Sequence, residues 1–203
     1  YRATEWLTRL QEKDKDLRVD YRSFVLEQVN FASARGEDWK AWEDKRMASR
    51  DIPSLEASKC AALQGEGQFA KYHVALHRAK HRDGNDITNQ LVLRDVAIEG
   101  GLDVERWEED MKNGAGIPLL AADHEEAEGE YGVFGVPTLL FESGNPVFVK
   151  LEEGDWEGQD DKGLLDAVRA ASVDRPYVLE LKTPESAKRG TAAQVKYKDY
   201  GKK

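Results

Sequence analysis

Few side chains in this chain suit covalent or acid–base chemistry, and their spacing narrows what they could do. Cys60 is the only cysteine among 203 residues. A lone thiol cannot close an internal disulfide. Set in Ser58-Lys59-Cys60-Ala61-Ala62, it reads as a small buried hydrophobe, not a nucleophile. His73, His77 and His81 recur every four residues and so share one helical face. Imidazoles at that spacing can chelate zinc. No cysteine or paired carboxylate completes the set and HExxH is absent, so the face reads as a core boundary beside Phe69 and Leu76, with no metal expected. His124, in Asp123-His124-Glu125-Glu126, reads as a surface helix residue. Residues 152–161 hold six acids in ten positions but lack the spacing of a calcium loop, which needs glycine at its sixth position, and read as a solvated loop. The step Val136-Pro137-Thr138 opens an apolar run. Its prolyl bond could be trans at the start of an edge strand. It could instead be cis, which is essentially confined to X–Pro bonds and would turn the Val136 backbone outward to meet a ligand.

These residues need a scaffold, and the apolar periodicity supplies one. Ala3, Trp6, Leu7 and Leu10 fall at i, i+3, i+4 and i+7, predicting a helix from Tyr1 to Lys13. Leu17, Val19 and Tyr21 alternate with Arg18, Asp20 and Arg22, predicting a strand that Phe24-Val25-Leu26 closes. Residues 30–50 are polar and read as a loop with a short helix. From Leu55 to Arg82 the pattern is helical with a break near Gly65 and Gly67. Ile87–Glu99 predicts another helix, stopped by Gly100-Gly101. Asp103 can cap the next, and Pro118 opens one more. The class then changes. Residues 136–141 and 147–151 predict a hairpin whose first strand is buried. Leu164, Leu165, Val168 and Ala171 predict a last amphipathic helix, and residues 177–181 a short added strand. No internal repeat is present.

Composition removes several function classes. Thirty basic residues stand against 39 acidic ones, a formal net charge of −9, whereas nucleic-acid binding needs a basic face. No apolar run approaches the ~20 residues of a membrane span. The 40% hydrophobic content supports a real core, so disorder is not the default. The chain opens at Tyr1 already in helical periodicity, and no secretory leader can be read.

Helix, strand, a long helical block, hairpin and helix form an α/β order that resembles the DsbA-type thioredoxin-like oxidoreductases, most like their FrnE-like and mycothiol-dependent branch. Three stretches carry the resemblance: residues 132–141 around Pro137; the helical block at residues 58–65, 72–77 and 100–103; and residues 1–30. The ending at residues 175–182 is similar to that branch as well. The resemblance implies a thioredoxin-like fold with a large all-helical insertion. Residues 1–30 and 131–181 would form the thioredoxin-like domain, residues 53–130 the insertion and residues 182–203 a basic flexible tail with seven basic and two acidic residues. It implies a cis Pro137 as the catalytic proline, with Val136, Thr138 and Tyr1 on the substrate side. It also implies a first strand and a Cys-Pro-x-Cys motif directly ahead of Tyr1. Without that strand the sheet would carry unpaired edges. The expected activity is thiol–disulfide exchange on a protein or small-thiol disulfide, without cofactor apart from a low-molecular-weight thiol co-substrate. The partners include neither nucleic acid nor membrane, and the location is the cytoplasm. Two other readings stay open. Gln159-Asp160 is similar to the glutathione-contacting segment of kappa-class transferases and 2-hydroxychromene-2-carboxylate isomerases, which implies a glutathione-dependent enzyme. A redox-inactive thioredoxin-like binding module is the third.

Overall fold

α1 (Arg2–Lys13) forms where the apolar spacing places it, with Ala3, Trp6, Leu7 and Leu10 buried along one face. The structure is a computed structural model that describes residues 1–36, 38–151 and 159–182. α2 (Leu26–Arg35), α3 (Ile52–Ala62), α4 (Glu66–His81), α5 (Gln90–Glu99), α6 (Val104–Lys112) and α7 (Ile117–Gly129) follow. Then come β1 (Thr138–Leu139), β2 (Val147–Phe148) and α8 (Asp161–Val173). The molecule is mostly helical. Among the described residues the only sheet is the antiparallel β1–β2 pair, in register Thr138↔Phe148 and Leu139↔Val147.

Three apolar clusters hold these elements. The first surrounds α1: Trp6, Leu7 and Leu10 pack with Val149, Leu139, Leu165, Val168, Leu17, Val19 and Tyr21. The second joins α3 to α6 through Cys60, Tyr72, Leu76, Leu93, Val96 and Trp107. The third, around Val25, Ala41 and Leu120, lies where α7 meets the chain entering α2. The hairpin turn is tied to the end of α8. Asn145 N–H donates to Ser172 O (3.1 Å), and Ser172 Oγ donates to Asn145 O (2.6 Å). Gly144 has φ +95°, and a Cβ there would sit 2.5 Å from Ser172 O, so only glycine fits.

Asp103 caps α6 and Pro118 lies in the first turn of α7, as their signals place them, while α5 starts at Gln90 behind an Asn89 cap, three residues later than the expected Ile87. Four expectations need correction. Residues 17–25 are not a strand of a ladder. Leu17, Val19 and Tyr21 do turn inward alternately, but no neighbouring backbone pairs with the segment among the described residues. α2 begins at Leu26, where that strand was expected to close, because Glu27 and Gln28 find partners there. Glu27 accepts from Arg50 N–H, and Gln28 Oε1 accepts from Ala41 N–H. The hairpin is two residues long on each side, and β1 is only half-buried. Residues 177–181 form no strand; Tyr177, Leu179 and Leu181 stand exposed. Most of the acidic loop and residues 183–203 of the basic tail lie outside the described residues.

Asp161, the last residue of that acidic run, is buried instead of solvated. Its carboxylate accepts from Arg9 (2.7 and 3.0 Å) and Lys13 (3.2 Å), while its carbonyl accepts from Trp6 Nε1 (3.0 Å). α8 therefore hangs from α1 at its own N-terminus, where a carboxylate also suits the helix dipole. A second buried ion pair locks α3 to α7. Lys59 Nζ meets Asp123, each side chain 7% exposed, and Asp123 also accepts from Ser23 N–H (2.6 Å) and Arg22 (3.3 Å). Removing one partner of a buried pair strands the other charge. Asp123→Ala is expected to cost about 3–5 kcal/mol in urea unfolding. Asp166→Ala, which breaks the exposed Lys162 pair, is expected to cost under about 1 kcal/mol. Equal costs for the two would contradict this account.

Candidate active site

After α7 the chain returns to β1 through an exposed loop. Val133 is buried and its N–H donates to Ala127 O (2.9 Å), which pins the near end. The Val136–Pro137 peptide bond is cis. Pro137 O accepts from Val149 N–H (2.9 Å), which pins the far end to the strand side of the hairpin. The Thr138 hydroxyl donates to Gly135 O (2.7 Å), so its proton serves the loop itself. Between these anchors Val136 is 45% exposed, and its N–H and C=O have no hydrogen-bond partner among the described residues. Phe134, 70% exposed, lies with its ring 5.4 Å from that of Phe148, and Phe148 in turn rests on Gly135. An unpaired backbone donor and acceptor flanked by apolar rings can take an extended main chain beside it.

The other half of the site is the start of α1. Tyr1 is its N-cap residue and supplies no side-chain cap, so the first-turn N–H groups are left at the positive end of the helix. The Tyr1 ring stacks on His81 of α4, centroids 5.3 Å apart and planes 14° from parallel. From there the rings run on: His81 to His77 6.3 Å, His77 to His73 4.3 Å, His73 to Tyr21 4.2 Å. His77 Nδ1 donates to His73 O (2.9 Å). Glu5 and Arg78 close the same interface through two bonds of 2.8 and 3.0 Å, which hold the Glu5 carboxyl below its usual range. The histidine face is thus a boundary face, as its spacing implies, but it is stacked and directed at the N-terminus of α1. No hydrogen bond or ring contact joins Tyr1 to residues 136–138 among the described residues. The two halves meet through Leu139, which packs in the α1 cluster.

Cys60 lies in the core between α3 and α7, with no exposure, and burial pushes its thiol up to about 12. It is therefore a thiol at neutral pH and cannot attack. His124 is not a surface residue. It is 1% exposed, packed against Phe24 and Trp42, and its Nδ1 accepts from Val25 N–H (3.1 Å). Asp123 and His124 together hold residues 22–25. The spacing of Asp123 from Leu120, one helical turn earlier on the apolar face, is the signal that could have shown an inward position. No three His, Cys, Asp or Glu side chains converge in a metal-holding arrangement among the described residues.

The imidazole column makes stability depend on pH. Burial lowers His77 to about 4 and His73 well below its ordinary value, reinforced by positive neighbours that include Lys59 and Lys80. Both groups bind protons more readily in the unfolded chain, so the unfolded state gains as pH falls. The stabilisation is complete above about pH 6.5 and is lost progressively toward pH 4. His77 alone is expected to contribute a loss of about 3 kcal/mol across that window. A His77→Phe variant, which keeps an aromatic ring without the titration, is expected to flatten the curve in urea titrations at stepped pH. An unchanged slope would contradict the assignment.

Comparison with known proteins fits these features. The DSBA-like thioredoxin domain family matches residues 1–161. The chain is 29% identical over 129 residues to the ClpXP adapter protein SpxH of Bacillus licheniformis, a match covering 64% of this chain and 40% of the length of that relative. α1, the helical block between α2 and the hairpin, and the proline loop ahead of β1 all lie within the matched family region. The chain belongs to the DSBA-like thioredoxin domain family.

Proposed function

We propose that the protein catalyses thiol–disulfide exchange, with a Cys-x-x-Cys pair directly ahead of Tyr1 and the Val136–Thr138 loop receiving the substrate main chain. The observation that carries this reading is the unpartnered Val136 backbone beside Pro137, on a hairpin that packs against the same helix whose N-terminus would hold the sulfurs. A thiol at that end is stabilised as thiolate by the helix dipole and the free first-turn N–H groups. The thiolate attacks one sulfur of a substrate disulfide and releases the other as thiolate. The second cysteine then attacks the mixed disulfide, so the pair ends oxidised and the substrate reduced; the reverse sequence oxidises a substrate dithiol. A strand ahead of Tyr1 would pair with residues 17–22 and with β1, which lean on α1 but share no ladder. We place the protein in the FrnE-like branch, in the cytoplasm, with a protein disulfide or a low-molecular-weight thiol as reaction partner. No helix among the described residues is long and apolar enough to cross a membrane.

A binding module without redox chemistry is the second reading. It is favoured by the fact that the one cysteine present is buried and protonated. Reduction of insulin by the natural full-length protein, followed by turbidity with dithiothreitol as reductant, separates the two. Exchange predicts strong acceleration that Cys60→Ala leaves within about twofold, since that thiol takes no part. A full-length protein with an intact Cys-x-x-Cys and no acceleration would overturn the exchange reading. Loss of activity in Cys60→Ala, with folding preserved, would overturn the role assigned to the upstream pair.

A further inference from the structure

Of the four histidines, His124 is the one whose two buried ring nitrogens have opposite fates. It is 1% exposed, with the rings of Phe24 and Trp42 at 4.6 and 5.3 Å. Nδ1 accepts from Val25 N–H (3.1 Å), and an accepting nitrogen carries no proton, so the neutral ring holds its proton on Nε2. Nε2 is buried and has no hydrogen-bond partner among the described residues. Glu128 Oε2 stands 3.6 Å from it, one turn further along α7. Val25 in turn is fully buried and is the N-cap residue of α2, where its carbonyl accepts from Gln28 N–H (3.2 Å).

We propose that His124 is a proton-operated clasp on the start of α2, closed on Val25 when the ring is neutral and open, with the ring drawn to Glu128, when the ring is charged. A second proton can enter only at Nδ1, the nitrogen with the free electron pair. That turns the acceptor into a donor and sets it against the Val25 N–H. The bond to Val25 and the charge on the ring therefore exclude one another. The cation has another partner in reach, because Nε2–H already faces Glu128, whose side chain is 60% exposed and has room to move in. Two arrangements of one side chain thus differ by one proton, which is what a two-state element requires.

Every packed element contributes a charge near the ring. On α7, Glu125 and Glu128 favour the cation. Lys40, lying over Trp42, opposes it and is itself held by Glu125 (3.2 Å). On the chain entering α2, Arg22 is taken up by Asp20 and Asp123, and Lys59 of α3 is paired with Asp123. Burial is the largest influence and lowers the ring from its ordinary value, so the clasp is closed at neutral pH and opens on acidification. Asp123 holds Ser23 N–H (2.6 Å) through a carboxylate, so that bond persists while Val25 is released.

The test is amide hydrogen exchange, read by NMR on the natural full-length protein between about pH 7.5 and 5, with two-bond proton–nitrogen spectra of the imidazoles. In the parent, His124 is expected to be bare at Nδ1 at the upper pH. Val25 protection, corrected for the intrinsic rate, is expected to fall about tenfold per pH unit below about 6.5, the slope of one bound proton. Ser23 and Val133, whose N–H groups are held by Asp123 and by Ala127 O, are expected to keep their protection. In His124→Gln, whose Oε1 can accept from Val25 without titrating, Val25 protection is expected to stay flat. In Glu128→Gln, which alters an exposed side chain, the fall is expected to begin at lower pH. Val25 protection in the parent that ignores pH, or that falls only together with Ser23 and Val133, would overturn the clasp, and so would a proton on Nδ1 at the upper pH. An unmoved onset in Glu128→Gln would overturn the open state assigned to the ring. The parent spectra decide the matter even where a variant fails to fold.

Discussion

The buried face of α1 is the constraint on which the rest depends. Trp6 is its anchor: the indole sits in the first cluster while its N–H reaches the backbone of Asp161 at the start of α8. Burying an aromatic ring of that size contributes several kcal/mol, and the polar handle fixes its orientation. One turn on, Arg9 and Lys13 converge on the Asp161 carboxylate. On another face Glu5 takes Arg78 from the helical block. One helix of twelve residues therefore sets the position of the hairpin, of α8 and of α4. A helix so restrained cannot shift its N-terminus without disturbing three neighbours.

That restraint matters to the proposed chemistry at the N-terminus of α1. A helix dipole acts over the first turn only, so whatever uses it must be held there. Tyr1 and His81 fix the side toward the helical block, and Leu139 brings the proline loop in from the side of the hairpin. The loop is held at both ends and left unpaired in the middle, which keeps the Val136 backbone in place with little ordering cost on binding. Cys60 shows the contrast. It has a reactive side chain but an apolar setting next to Glu56, so its thiol stays protonated.

Much of this was readable from the order of residues, for a physical reason. Helices such as α1 carry their own evidence, because an apolar face repeats every turn and caps depend on one or two side chains. Asp103 and Pro118 are examples. Strand pairing carries no such local mark. Residues 17–22 show the alternation of a strand, and Leu17, Val19 and Tyr21 turn inward, yet a ladder needs a neighbour that no local pattern specifies. The buried charges were unreadable for a related reason. Asp161 and His124 stand in acidic runs that normally face water. Only the arrival of Arg9 from 152 residues away, or of the Val25 N–H from 99, makes burial possible. The Tyr1–His81 stack was equally hidden, although the four-residue spacing of the histidines placed all three on one face.

The proposed sulfur chemistry sits at the tip of α1, and the most direct measurement of it is a map of redox-active thiols. The natural full-length protein would be alkylated with one reagent, reduced, alkylated with a second and digested for mass spectrometry. The prediction is a pair of cysteines two residues apart, within the residues that precede Tyr1, carrying the second label, with Cys60 carrying neither until the protein is unfolded. Labels confined to Cys60, or a serine where the first of the pair should stand, would contradict it.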